Sequence, residues 1–374
     1  NTTGFGNTAV GKGSLFTNNG NNNTAVGHEA LQANTTGGDN VAVGREALSS
    51  QTTGGDNIAI GHLAMSTLTT AGNNVAVGDR AMQASTSGEN NVAVGTLALD
   101  ANTTGGSNVA VGRDALGANT TGAQNTIVGA LAGDSITTGS NNTALGFEAL
   151  GKLTTGTDNI GVGRASGLDI TTGGGNVSVG VEALENTTTA DNNTAVGKQA
   201  GRNVSTGTNN LLLGKNAGQS SSPSGNITTG SNTICLGDDN IGSLFCTQSS
   251  ISTSDVRDKT DIENFDAGLA FINQMQPVTY KWDKRSWYSD DLSITPDGSK
   301  KDNKTQVGFL AQDVESLEKE IGFANNRDDM LFINLTENNQ RYGMQYERLV
   351  TVLVNAVQEL SAKVEELENK LNGE

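Results

Sequence analysis

A 17-residue unit repeats through the first two thirds of the chain and then stops, ahead of a stretch of wholly different composition. Its clearest copy, Asn40 to Asp56, reads N-V-A-V-G-R-E-A-L-S-S-Q-T-T-G-G-D. The glycine of the unit returns every 17 residues from Gly27 to Gly214, with Gly11 one residue out of step before it and Gly237 six residues late after it. Self-similarity at a short fixed period marks an array in which each unit buries its apolar face against the next. A chain of 374 residues would otherwise suggest two or three domains, but an array grows lengthwise without enlarging a core.

Within the unit, Val41 and Val43 flank Ala42 in strict alternation, which puts the valines on one face and the alanine on the other. This predicts a short strand. Gly44 permits a turn, Ala47 and Leu48 open a second apolar patch, and T-T-G-G-D closes the coil. The pattern predicts two short strands per coil and an all-β shaft over residues 1–237, wound as a parallel β-roll or β-solenoid. At the usual strand spacing its coils would stack into a rod of roughly 65 Å. Each coil supplies few apolar side chains, so three chains sharing one core are expected. The strand-leading asparagines Asn40, Asn57, Asn74 and Asn91 align and should stack into side-chain ladders. The repeat resembles the head repeats of trimeric bacterial adhesins, which carry a similar asparagine-leading V-A-I-G strand and wind into a left-handed parallel β-roll. The resemblance spans roughly residues 7–237, and it departs in unit length, since those repeats are usually shorter.

Composition excludes several roles. A net charge of -17 offers no basic stripe for phosphates, which argues against nucleic acid. No apolar run reaches the length of a membrane span, so no membrane insertion is expected. No signal peptide opens the chain, and Asn1 enters in mid-repeat, as expected of a fragment or a processed product. Cys235 occupies a position that is alanine at Ala42 and Ala76, so it reads as a small apolar filler. With Cys246 and two distant histidines it makes neither a metal site nor a cofactor site. The turns at Asp39 and Asp56 read as solvated rather than metal-binding. The positions after the repeat glycine vary most, as in Arg45-Glu46, His62-Leu63 and Asp79-Arg80, and read as an unconstrained solvent face. All tryptophans and tyrosines lie beyond residue 279, so the shaft lacks the flat aromatic faces of a sugar-binding surface and reads as a spacer.

An insertion, S-S-S-P-S-G, surrounds Pro223 and predicts a loop bulging from one coil, because proline cannot donate a ladder hydrogen bond. Over 238–253 the period is lost, leaving a neck. Four blocks follow: S-D-V-R-D-K-T-D-I from Ser254, P-V-T-Y-K-W-D from Pro277, V-G-F-L-A-Q-D-V-E from Val307, and Y-E-R-L-V from Tyr346. In this order they resemble the C-terminal intramolecular chaperone domain of phage endosialidases, tail spikes and L-shaped tail fibres. The resemblance covers residues 254–374 and implies an α+β domain that trimerises the fibre, directs folding of the upstream β-structure and then cuts itself off. It implies Ser254 as nucleophile, Lys259 as general base and the bond between Thr253 and Ser254 as the one cut, in a single turnover with no external substrate. It further implies a virion tail protein that works as a homotrimer, with upstream tail fibre or baseplate proteins and a host surface receptor as partners.

The chemistry stands on general grounds as well. A serine hydroxyl needs a base to take its proton, and a lysine serves when desolvation leaves it neutral. Arg257 adds positive charge that disfavours charged lysine, and Asp255 lies beside the nucleophile. A spacing of five does not put Ser254 and Lys259 on one helical face, so they must meet through a bent segment or across chains. The plainer alternative is that Ser254 or Asp255 caps a helix beginning near Val256, although Arg257 stands where a capping box wants Glu or Gln.

The chain ends in a heptad pattern over 346–371, with Tyr346, Val350, Leu353, Val357, Leu360, Val364, Leu367 and Leu371 on one seam. A coiled coil is predicted. Valine and leucine on its two seam positions suit a dimer, whereas the family resemblance implies a trimer. Between these landmarks, Ile262 to Met275 has helical spacing, Thr279 to Trp282 is strand-like, and Asp283 to Lys304 reads as a loop, with Trp282 and Trp287 as core or interface anchors. A trimeric bacterial surface adhesin would explain the shaft but not the tail, and a glycan-degrading tail spike would need a carboxylate pair that the repeats do not offer.

Overall fold

Backbone conformation at Glu46 and Leu48 determines the shape of every coil. The computed structural model describes residues 3–241, 259–288, 293–326, 329–335 and 342–373. Glu46 and Leu48 have φ of 57° and 50°, and the same pair of positions is left-handed in most of the other coils. A strand needs extended φ throughout, so the second apolar patch is not a strand. Each coil therefore has one three-residue strand rather than two, from β1 (Thr8–Val10) to β14 (Ile234–Leu236). The second side still ties coils together, because left-handed residues aim successive N–H groups up and down the axis. Glu46 donates to the His28 carbonyl of the preceding coil at 2.9 Å, and Leu48 to the Ala64 carbonyl of the following coil at 3.0 Å. A left-handed leucine costs on the order of 1 kcal/mol, which these bonds and the burial of Leu48 offset.

The fourteen strands form one parallel sheet in sequential order. Register is uniform, with Val41 opposite Ile58 and Ala42 opposite Ala59. The odd steps fall at the ends, where Thr8 pairs with Thr24 and Leu211 pairs with Ile234. The first is one residue short of the period, and the second, six residues longer, accommodates the Pro223 insertion. Cys235 faces inward opposite Leu212 as the expected apolar filler, while Cys246 lies outside the described residues.

Alanine is the inward residue of most strands. Ala42, Ala47 and Leu48 are fully buried within one chain, while Val41 and Val43 face outward. A core shared among three chains is thus not what fills the coil: small side chains suffice because the coil is flat and its two sides lie close. Where a strand carries a larger residue, the opposite side yields. Ile127 stands in the alanine column and Gly133 in the leucine column, where an added Cβ would lie 3.3 Å from Ile127 Cδ1. Gly218 relates to Leu212 in the same way, so in these two layers a larger strand residue is offset by a glycine opposite.

The asparagine ladder forms as expected. The N–H and Nδ2 of Asn57 both donate to Asn40 Oδ1, at 3.0 and 3.2 Å, and Nδ2 also reaches the Ala71 carbonyl at 3.0 Å. All three asparagine positions Asn40, Asn57 and Asn74 are fully buried. Buried amides with every group paired rigidify an array that has little apolar volume.

The chain divides into two compact units, one holding the repeats and one holding the tail from Asp239 onward. In the tail, β15 (Val278–Tyr280) pairs antiparallel with β16 (Gln306–Gly308), and β17 (Ile333–Leu335) with β18 (Tyr342–Met344). Among the described residues three α-helices accompany them: α1 (Leu269–Gln274), α2 (Ala311–Glu320) and α3 (Leu349–Asn372). Their shared core is Phe271, Met275, Val314, Phe332, Ile333, Leu349 and Val352. Helical spacing over Ile262 to Met275 is realised only in α1, since the backbone before Leu269 is committed to side chains of α3. Trp282 is 44% exposed and is not a core anchor. Its ring meets Tyr280 edge-on at 5.1 Å, and the Lys284 amine stands 5.2 Å from the Trp282 ring and 5.6 Å from that of Trp287. Among the described residues no helix is long and apolar enough to cross a membrane.

Candidate functional site: the junction and the helix that holds it

Of the residues expected to carry the cleavage chemistry, Thr253, Ser254, Asp255 and Arg257 lie outside the described residues, and only Lys259 is described. Lys259 is exposed in the single chain, whereas a neutral lysine base needs a dry setting. From Lys259 to Gly268 the backbone is non-helical. A cap at Ser254 or Asp255 would therefore have no helix extending past residue 258.

The backbone just downstream is gripped by α3. Asn355 Nδ2 donates to the carbonyls of Phe265 and Ala267 at 2.5 and 3.1 Å, and Glu359 Oε1 accepts the Leu269 N–H at 3.3 Å. Asn355 and Glu359 are one helical turn apart and share a face. Gly268 makes the approach sterically feasible, because a Cβ there would fall on Glu359 Oε1. Phe265 then anchors the segment, its ring 6.3 Å from Phe332 and 6.5 Å from Phe323.

Two faces of α3 do different work. Leu349, Val352 and Ala356 are buried against the tail's own core. The heptad residues Val350, Leu353, Val357, Leu360, Val364, Leu367 and Leu371 are all exposed in the single chain. The expected seam is thus present as a continuous apolar stripe on a 24-residue helix.

The second, third and fourth sequence blocks meet in space. P-V-T-Y and V-G-F-L supply β15 and β16, with Val278 opposite Gly308. Tyr346, from the fourth block, closes over Gly308, where a Cβ would lie 2.6 Å from its hydroxyl, and that hydroxyl accepts the Phe309 N–H at 3.4 Å. Arg348 Nη1 donates to the Leu331 carbonyl at 2.9 Å.

Glu318 is a further buried group. Its side chain is fully inaccessible, and its carboxylate accepts the N–H groups of Leu331, Phe332 and Ile333, at 3.3 Å for Leu331 and 3.1 Å for Ile333. Burial raises its pKa above the ordinary 4.5, outweighing the three N–H donors that favour the charged form. Glu318, Asn355 and Glu359 were not legible as special from the sequence. A trace existed for Glu318, which falls four residues after Val314 and beside Leu317, on the apolar stripe of α2. Asn355 and Glu359 leave no such trace.

Residues 254–323 match the family model described as chaperone of endosialidase. The chain carries that C-terminal intramolecular chaperone domain, and the match begins at Ser254. No curated protein and no solved structure gives a match. A parallel β-solenoid of 17-residue repeats joined to this domain fits a phage tail fibre or tail spike.

Proposed function

We propose that the tail trimerises the chain, guides folding of the shaft and then severs itself between Thr253 and Ser254, with Ser254 as nucleophile and Lys259 as base. The shaft remains as a spacer in a phage tail, joined upstream to other fibre or baseplate proteins and serving attachment to a host surface. The observation that carries this reading is the conjunction of a uniform-register solenoid with a chaperone match that begins at Ser254. Near-identical coils can pair out of step at little cost, so a fibre of this kind needs an external aligner. Two apolar surfaces suit three copies. One is the outward face of the solenoid sheet, where Ile58 and Ile60 are 38% and 40% exposed, and the other is the α3 seam. Exposure of Lys259 in one chain favours a dyad completed across chains, since assembly would supply the missing desolvation.

The chaperone role is tested by expressing a chain that ends at Thr253 beside the full-length chain. The truncated chain should fail to yield a soluble trimeric shaft, whereas a shaft released after assembly should stay trimeric in sedimentation. A truncated chain that reaches the same trimer in the same yield would overturn the proposal.

A further inference from the structure

Helix α3 holds two things at once. Its exposed seam, from Val350 to Leu371, awaits other copies, and its opposite side holds the chain that leads from the expected cleavage residues. Asn355 and Glu359 sit on that second side, bonded to the backbone of Phe265, Ala267 and Leu269. Only five residues lie between Lys259 and Phe265.

We infer that Asn355 and Glu359 are positioning residues that pass the assembly state of the α3 seam to the segment carrying Lys259 and Ser254. The inference rests on the cleavage proposed above and names the device that times it. Its physical basis is the absence of any other regular structure over 259–268. Backbone without a ladder or a helix takes its orientation from the few bonds it makes, and here Asn355 and Glu359 of α3 bond the backbone of Phe265, Ala267 and Leu269. The clamp is formed in the single chain, where α3 is helical over Leu349–Asn372, and packing of the seam against two further copies would hold this stretch of helix, and the clamp with it, more firmly. A buried-side amide donating to two carbonyls and a carboxylate accepting one N–H fix the segment in both directions. Gly268 is part of the device, because any side chain there would displace Glu359.

The asymmetry of the two side chains gives the test its chemistry. Glu359 acts only as an acceptor, so Glu359→Gln retains an oxygen for the Leu269 N–H, while Glu359→Ala does not. Asn355 acts as a donor, so Asn355→Asp, which has no donor, loses both of its bonds and sets a carboxylate against two carbonyls.

The experiment uses the full chain, synthesised without cells so that time zero is defined. Trimer content is read by native mass spectrometry, and single-turnover cleavage by the appearance of the released tail. Hydrogen exchange reports the amide of Leu269. Asn355→Asp and Glu359→Ala should form the same trimer as the parent and cut about tenfold more slowly, the effect of losing one or two positioning bonds. Glu359→Gln should cut at nearly the parental rate, a rescue that a merely bulky or stabilising role would not show. Leu269 should be protected in the parental trimer and exchange faster in Glu359→Ala. Equal cleavage rates in intact trimers of parent, Asn355→Asp and Glu359→Ala would overturn this inference alone. A parent chain that assembles and never cuts would overturn the cleavage proposal and this inference with it. Should Asn355→Asp fail to assemble, Glu359→Ala and Glu359→Gln decide the matter by themselves.

Discussion

The side-chain oxygen of Asn91 accepts the backbone N–H of Asn108, one coil further on, at 2.9 Å, while Asn91 Nδ2 donates to the Gly105 carbonyl at 3.0 Å. Both asparagines are fully buried. Asn91→Leu would leave the Asn108 N–H without a partner, at about 1–3 kcal/mol, while the Gly105 carbonyl keeps its bond from Asn102 Nδ2 at 3.0 Å. Hydrogen exchange should show faster opening of the coils around 91–108, with the distant coils unaffected, because the array is coupled only between neighbours. Opening spread evenly along the shaft would contradict the ladder as a local tie.

Gly133 and Ile127 conserve the volume of their coil by exchanging sizes. Gly133→Leu restores the commonest residue of its column but meets Ile127 and Ile136, where even a Cβ would lie 2.9 Å from Ile136 Cδ1. It should destabilise the shaft by about 1–3 kcal/mol. Combining it with Ile127→Ala should recover most of the loss, as a double-mutant cycle on thermal unfolding of the released shaft would show.

Much of the shaft was legible in the sequence, and the reason is its period. An error in one coil would be repeated in all, so the phase of Gly44, the inward or outward placing of Val41 and Ala42, and the Asn40 to Asn57 ladder all follow from one unit. What the period does not disclose is conformation at single residues. Glu46 and Leu48 are ordinary helix or strand formers, and nothing in their chemistry announces left-handed φ, so a second strand was expected where there is none. The tail was legible as blocks and as a heptad. Its internal contacts were not, because Glu318, Asn355 and Glu359 act through bonds that span 13 to 90 residues, and a single sequence carries no signal for such pairs.

Glu318 makes the tail's stability depend on pH. Its carboxyl is held above its ordinary value of 4.5 by burial, so between that value and the folded one the native tail binds more protons than the unfolded chain. Stability is then full below the ordinary value and is lost as pH rises through the folded one. Glu315 works the other way, since its bond to Lys319 holds it below the ordinary range, giving stability that falls only at more acid pH. Glu318→Gln should flatten the first slope and leave the second. Tryptophan fluorescence melts of the full chain report the tail alone, because Trp282 and Trp287 are its only tryptophans. An unchanged slope in Glu318→Gln would count against this assignment.

The α3 seam is exposed in one chain, with Val357 and Leu360 at 61% and 51%. Charges there should have little effect on the fold of the tail's own core and a large effect on assembly. Val357→Asp with Leu360→Asp should shift sedimentation from trimer toward monomer at micromolar chain. A double variant that remains wholly trimeric would assign assembly to the sheet face of the shaft instead.

The central claim is that the tail removes itself at one peptide bond. Intact-mass spectrometry of the purified chain beside Ser254→Ala measures this directly. The parent should resolve into two species whose masses sum to the chain plus one water, the smaller beginning at Ser254, while Ser254→Ala should stay whole. The same single intact mass for both would contradict the claim.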